Sequence, residues 1–369
     1  MSKLLIFIDS LTAGGAERVA SRLAYFAIEA SNEVVFVTMA SRERDFYNLD
    51  RRAKRYALGM GSRSFGFGKF FSTIRRIVAL RQIIKSEHVD AVVTFMTSSS
   101  VIGIFASLGC GVRVAVSERN HPSKKRIAPI WSILRRVVYR FADIHVVQTP
   151  SIAAWVRKKT AARRVIIIPN AVSLPIPKVS PEVCPSSVLP DSRRVILAVG
   201  TKVEQKGFDL LLDAFALSGN KFDAALVILG LSESSRQSMA EQVCRLGLTE
   251  SVFLVGKVGN VGDWYARSSL FVLSSRYEGF PNVLLEAMAS GCACIAFDCP
   301  SGPAEVIKDG VNGLLVPAEN IASLSIAIER VLADEQLRLR IAACAVDIVE
   351  RYSENNIYSK WLAVMKVNL

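Results

Sequence analysis

Two carboxylates, Glu278 and Glu286, flank Gly279, Phe280, Pro281 and Asn282 in the stretch SSRYEGFPNVLLEAMASG. The apolar run Leu270–Leu273 before them reads as a buried strand, and the polar residues 274–279 end it. Pro281 suits the first position of a helix, where its fixed φ is helical and its missing N–H would be unpaired anyway. Val283, Leu284, Ala287 and Met288 then recur at helical spacing, with Gly291 as the C-cap. A helix start offers unpaired N–H groups and a positive dipole end, which suit a phosphate. One acid can reach past such a phosphate to a hydroxyl while the other faces a different part of the ligand. Equally, both acids can simply favour the helix start. The spacing alone does not choose.

Similar chemistry stands at other strand ends. Gly14 and Gly15 in LTAGGAERVA follow the first strand and open a helix, so backbone can approach a ligand there. In AVGTKVEQKGFDLLLDAF, Lys202 and Lys206 precede Gly207 and a helix, and a lysine in such a loop is a point charge suited to phosphate. In VSERNHP, Glu118, Arg119, Asn120 and His121 cluster after a strand, although a lone histidine is more often structural than catalytic. No Asp-x-Asp occurs anywhere, so no paired-aspartate site for a divalent cation is visible. Three of the seven cysteines cluster at 292, 294 and 299 without a C-x-x-C pair, and there are only three histidines. That excludes a standard zinc pattern and suits reduced thiols in a cytoplasm.

The elements that must position these groups alternate. Strands are expected at 3–9, 33–39, 90–95, 112–117, 142–147 and 164–168, with a helix over 17–30. Six prolines then crowd residues 169–190. The alternation resumes with strands at 194–200, 224–230, 252–256, 270–273, 292–297 and 313–317, and a last helix over 352–366. The fold class is therefore α/β, with two doubly wound parallel sheets whose ligands sit at the carboxyl ends of the strands. The division expected is 1–170, a linker over 171–192, 193–350, and a final helix over 351–369 that crosses back to the first domain.

The 369 residues allow two substantial cores, half of them being apolar. The start of the chain has too short an apolar run for a signal peptide. The uncharged stretch 91–112 is long enough to cross a membrane, but its serines, threonines and glycines favour strand, loop and short helix. Residues 1–178 hold 29 Lys and Arg against 11 Asp and Glu, and residues 179–369 hold 17 against 22, giving +18 and −5. The basic half points to a polyanion: nucleic acid, anionic lipid or a phosphorylated ligand. Its clusters are 51–55, Lys69 with Arg75, Arg76, Arg81 and Lys85, 124–126, and Arg135, Arg136 and Arg140. The second is interleaved with Phe65, Phe67, Phe70, Phe71, Ile74, Ile77 and Val78, as in an interfacial amphipathic helix or, equally, an ordinary surface helix whose apolar face packs on the sheet.

The element EGFPNVLLE followed by AMASG, together with GGAERVA, VGTKVEQKGFDLLLDAF, VFLVGKV and DGVNGLLVP, resembles the family 4 retaining glycosyltransferases of the GT-B fold. The resemblance runs from residue 3 to about 335 and implies two Rossmann-like domains facing a central cleft, the first for the acceptor and the second for a nucleotide-sugar. It implies a metal-independent reaction with no cofactor, using a UDP- or GDP-sugar as donor. Glu286 would bind the ribose hydroxyls, and Glu278 would face the donor sugar. Phe280, Asn282 and Val283 would hold the diphosphate through backbone N–H groups. Lys206 would neutralise the leaving diphosphate, Gly14 and Gly15 would meet it from the first domain, and Gly256 to Val258 would flank the base. Two departures stand out. Thr201 replaces an arginine usual after Gly200, which leaves that contact to Lys202. Arg119, Asn120 and His121 occupy the loop where a catalytic histidine is usual. The expected partners are a lipid-linked or glycan acceptor and an anionic membrane surface, with no nucleic acid. The enzyme would sit peripherally on the inner face of the cytoplasmic membrane, building cell-surface polysaccharide. The alternatives are a sugar-nucleotide epimerase or a phosphorylase of the same fold, or a basic binding module without activity.

Overall fold

Unbroken runs of Val, Ile, Leu and Phe become parallel strands covered on both faces, because only a two-sided sheet buries such runs completely. The computed structural model describes residues 2–12, 14–59, 67–119, 121–123, 127–218 and 222–366, without the side chains of 44, 67–70 and 366. It comprises two units, Met1–Ala171 with Asn355–Leu369, and Val172–Glu354.

The first unit carries β1 (Lys3–Ile8), β2 (Glu33–Thr38), β3 (Lys54–Ala57), β4 (Ala91–Phe95), β5 (Arg113–Ser117), β6 (Ile144–Val147) and β7 (Val165–Ile167). Its helices are α1 (Gly15–Glu29), α2 (Phe67–Ser86), α3 (Thr97–Ser107), α4 (Pro129–Val138) and α5 (Pro150–Lys159). The sheet order is β3-β2-β1-β4-β5-β6-β7, all parallel, with Ile6 opposite Phe36 on one side and Val93 on the other. The uncharged stretch 91–112 folds as β4, α3 and a turn, and among the described residues no helix is long and apolar enough to cross a membrane. The edge strand β3 is absent from the sequence-based expectation. Its KRYA sequence carries charge, as edge strands often do. The basic cluster at 51–55 is largely paired: Arg52 with Asp50 and Glu29, Lys54 with Glu87, and Arg55 with Asp45. The C-terminal helix Glu354–Lys366 belongs to this unit, where Tyr358 stacks on Phe26 and the fully buried Trp361 lies against Phe95.

The second unit carries β8 (Arg194–Val199), β9 (Ala224–Leu229), β10 (Val252–Leu254), β11 (Leu270–Leu273), β12 (Cys294–Asp298) and β13 (Leu314–Pro317), in the order β10-β9-β8-β11-β12-β13. Its helices are α6 (Val203–Lys206), α7 (Phe208–Ser218), α8 (Glu233–Arg245), α9 (Val261–Arg267), α10 (Asn282–Ala289), α11 (Pro303–Val306), α12 (Ile321–Ala333), α13 (Glu335–Ala345) and α14 (Ile348–Arg351). The proline-rich segment folds onto this unit. Val179 and Gly259 share a backbone hydrogen bond, Asn260 bonds both backbone groups of Val183, and the Trp264 indole donates to the Val183 carbonyl. Prolines leave carbonyls without matching N–H groups, so side-chain donors such as Asn260 and Trp264 complete the pairing.

Candidate active site

In the second unit the strand order reverses between β8 and β11, the place where doubly wound sheets leave a ligand crevice at their carboxyl ends. The short helix α6 after β8 supplies Lys206, and the loop after β11 supplies Glu278. Their side chains meet across this point, Lys206 Nζ to Glu278 Oε1 at 2.7 Å, with 13% and 8% exposed. Ser275 Oγ donates to the same carboxylate oxygen at 2.6 Å.

Glycines make this pairing possible. A Cβ on Gly207 would lie 2.1 Å from the Ser274 carbonyl oxygen, and its φ of +61° is left-handed. The backbone after Lys206 therefore lies directly on the end of β11, where Ser274 Oγ also donates to the Lys206 carbonyl at 2.9 Å. A Cβ on Gly200 would meet the Lys206 stem at 2.7 Å, so that glycine leaves room for the lysine. Arg276 fastens the two loops. Its guanidinium is bidentate on Asp209 at 2.8 and 2.6 Å and also donates to the Glu204 carbonyl. Burial alone would raise the Asp209 carboxyl, but this pairing brings it below its ordinary value.

The helix α10 begins at Asn282, with Pro281 one position outside it rather than at the first helical residue. The extended backbone of Pro281 ends the loop, and the chain turns helical only after it. No side chain caps α10, and no acid sits in its first turn, which leaves the dipole end facing the Glu278 loop. The other end closes as expected: Gly291 is left-handed, and the N–H groups of Gly291 and Cys292 bond the carbonyls of Met288 and Ala287. Glu286 is buried one turn inside α10 and accepts from Tyr265 Oη at 3.1 Å. Phe280 is buried against Tyr352. Lys202 is exposed at the start of α6, whereas Gly256 and Val258, beyond β10, are half-buried.

The expected residues of the first unit are placed as follows. Gly14 precedes α1 and Gly15 opens it, with the Glu17 carboxylate lying over Gly14. Arg119 is buried and donates to Asn170 Oδ1, and its burial lowers its pKa to about 10. His121 lies between Ser123 Oγ on Nδ1 at 2.8 Å and Ser151 Oγ on Nε2 at 3.2 Å. Asn120 and residues 124–126 lie outside the described residues, as does the Lys69 side chain. Arg75 is exposed on α2 and Arg76 half-buried, whereas Arg81 turns inward to the Ala106 carbonyl at 3.1 Å. Arg135, from the last basic cluster, is buried over the Trp155 ring. Among the described residues no group of three or more His, Cys, Asp and Glu side chains could hold a metal ion.

The family model described as "Glycosyltransferase Family 4" matches residues 13–174, and that described as "Glycosyl transferases group 1" matches residues 180–345. The chain belongs to the family 4 glycosyltransferases. Its relatives include an α-1,4-N-acetylgalactosaminyltransferase of Campylobacter jejuni, whose name gives a diNAcBac-PP-undecaprenol glycan as acceptor. It is 27% identical over 99% of this chain and 98% of its own length. The amylovoran biosynthesis glycosyltransferase AmsD of Erwinia amylovora is 28% identical over 98% and 99%. Among solved structures, sucrose-phosphate synthase from Thermosynechococcus elongatus superposes with a TM-score of 0.85 at 19% identity, covering 98% of each chain. Anabaena HepE, solved with UDP, gives 0.79 at 18% identity over 99% of this chain and all of its own. The fold is GT-B.

In this glycosyltransferase the Glu278 loop has supports that the sequence reading passed over. Ser301 Oγ donates to the Gly279 carbonyl at 3.0 Å, and a Cβ on Gly302 would lie 2.8 Å from Pro281 Cδ. The signal was available. CPSGP follows β12 as SSRYEG follows β11, and adjacent parallel strands bring their carboxyl-end loops together. Cys299 lies beside this loop, and burial pushes its thiol up to about 12, so it stays protonated and inert.

Proposed function

We propose that this glycosyltransferase moves a sugar from a nucleoside diphosphate sugar to a lipid-linked glycan, with retention of configuration and without a metal ion. The Lys206–Glu278 pair at the switch point, beside an uncapped helix start, is the observation that carries the reading. An arriving diphosphate would draw the Lys206 ammonium from Glu278 and accept N–H groups at Asn282 and Val283, so that leaving-group charge is met by fixed donors. The released Glu278 carboxylate then accepts hydroxyls of the donor sugar, and Glu286 those of the ribose. Residues 256–258 would flank the base. Lys206 and the α10 dipole supply the neutralisation for which other sites use a cation, in line with the absence of Asp-x-Asp. Support for this acceptor class comes from the names of the relatives, one giving a diNAcBac-PP-undecaprenol glycan as acceptor and another amylovoran biosynthesis. An acceptor of that kind would bring the enzyme to the cytoplasmic face of the membrane, and among the described residues no helix is long and apolar enough to span it.

The test is transfer from a panel of UDP- and GDP-sugars to a polyprenyl-diphosphate-linked glycan in excess EDTA, with the product linkage read by NMR. The expected result is undiminished turnover and an α-linkage from an α-linked donor. Activity that collapses in EDTA and returns with Mg²⁺ or Mn²⁺ contradicts metal independence, and a β-linkage contradicts retention.

A further inference from the structure

The α4 helix is apolar on two sides. Trp131 and Leu134 are partly buried in the core, and Val138 wholly so, which accounts for one face. On the other face Ile130, Ile133, Val137 and Phe141 are 57%, 57%, 48% and 46% exposed, forming a row along α4 and the short turn after it. A surface helix ordinarily turns charged residues outward, so an aliphatic outer row calls for an apolar cover. The row is bordered by cations. Arg136 and Arg140 are exposed within it, and the Arg140 guanidinium lies over the Phe141 ring. The Ala161 N–H bonds the Arg136 carbonyl, which brings the turn after α5 against this end of α4. That turn is flanked by the exposed Arg157, Lys158, Lys159, Arg163 and Arg164. Over residues 113–164 the chain has 13 Lys and Arg and 2 Asp and Glu, a balance of +11, and one of those acids, Glu118, is buried.

We infer that α4, rather than α2, is the element that seats this enzyme on an anionic lipid surface. The aliphatic row would enter the acyl boundary while the arginines and lysines around it meet the headgroups. A second copy of the same face would set like charge against like. A nucleic acid would use the cations but leave four apolar side chains without a role. The inference rests on the lipid-linked acceptor proposed above and gives that acceptor its docking surface. On α2, Phe71, Ile74 and Val78 are also exposed, but Arg81 is turned to the end of α3 and Arg76 is half-buried, so that among its described side chains the exposed cations are Arg75 and, at the far end, Lys85.

The test is flotation of the full chain with vesicles of phosphatidylethanolamine and phosphatidylglycerol, without acceptor, against vesicles of phosphatidylcholine. Each basic residue near such a surface strengthens binding about fivefold, so the anionic vesicles should bind at least about a hundredfold better. The triple variant Ile133→Ser, Val137→Ser, Phe141→Ser should lose at least about tenfold in that affinity, the exposed positions leaving the fold intact by circular dichroism. Phe71→Ser, Ile74→Ser, Val78→Ser should lose less than about threefold. Transfer to a detergent-dispersed lipid-linked acceptor should be unchanged in both, so that a failure of the surface and a failure of the reaction read out separately. Equal binding to neutral and anionic vesicles, an α4 variant that floats like the parent, or an α4 row whose loss abolishes self-association instead, would overturn the inference.

Discussion

At the scale of the residue, the site depends on glycines as much as on its charged groups. Gly207→Ala would put a methyl group into the Ser274 carbonyl at a left-handed φ, and neither neighbour can move without breaking the end of β11. Strain of this kind costs on the order of 1–3 kcal/mol, and here it also shifts Lys206. The expected outcome is a lower thermal midpoint together with a fall in turnover larger than the stability loss explains. A variant with parental midpoint and turnover would contradict the close-packing account. Lys206 and Gly207 were legible from sequence because a lysine followed by a glycine before a helix has a specific use. Tyr265, Ser301 and Gly302 were not, because each acts through a neighbour distant in sequence, and Ser275, though close to Glu278 in the chain, carries no pattern that marks it. Glu286 was expected to face ligand, and the structure adds Tyr265 Oη as the group that orients it.

At the scale of the element, the periodicities were readable wherever burial was complete. Every strand of the second unit was expected from its apolar run, and Gly291 was recognised as the end of α10. What escaped was β3, a charged edge strand whose KRYA carries no apolar run, and the outer row of α4, where two apolar faces blur the helical period. The strand β6 bears a further consequence. His145 is 1% exposed with its ring against Tyr139, and burial lowers its pKa to about 4. The folded chain therefore keeps this imidazole neutral down to about pH 4, whereas the unfolded chain protonates it near the ordinary 6.5. Between these values the unfolded state binds the extra proton, so stability falls as pH falls from 6.5 to 4, by up to about 3 kcal/mol. Urea unfolding of the parent should weaken more steeply across this window than that of His145→Leu. Parallel pH dependences would contradict the assignment.

At the scale of the whole molecule, charge is divided unevenly between the two halves of the chain. Residues 1–178 carry +18 and residues 179–369 carry −5. The fold and its two sheets were visible in the alternation of apolar runs, and the family in the motifs of the second half. The identity of the acceptor was not visible, because no short motif in the sequence specifies one. The central claim is that Glu286 and Glu278 read opposite ends of one donor while Lys206 and the α10 start hold the diphosphate between them. Calorimetric titration of UDP and GDP in excess EDTA, which supplies nucleoside and diphosphate but no sugar, separates these roles. For whichever nucleotide binds, Glu286→Ala and Lys206→Ala should each lose about tenfold or more in affinity, roughly 1.4 kcal/mol. Glu278→Gln, which frees Lys206, should bind at least as tightly as the parent while failing to turn over the sugar donor. Equal losses in all three variants, or an undiminished affinity in Glu286→Ala, would contradict the account.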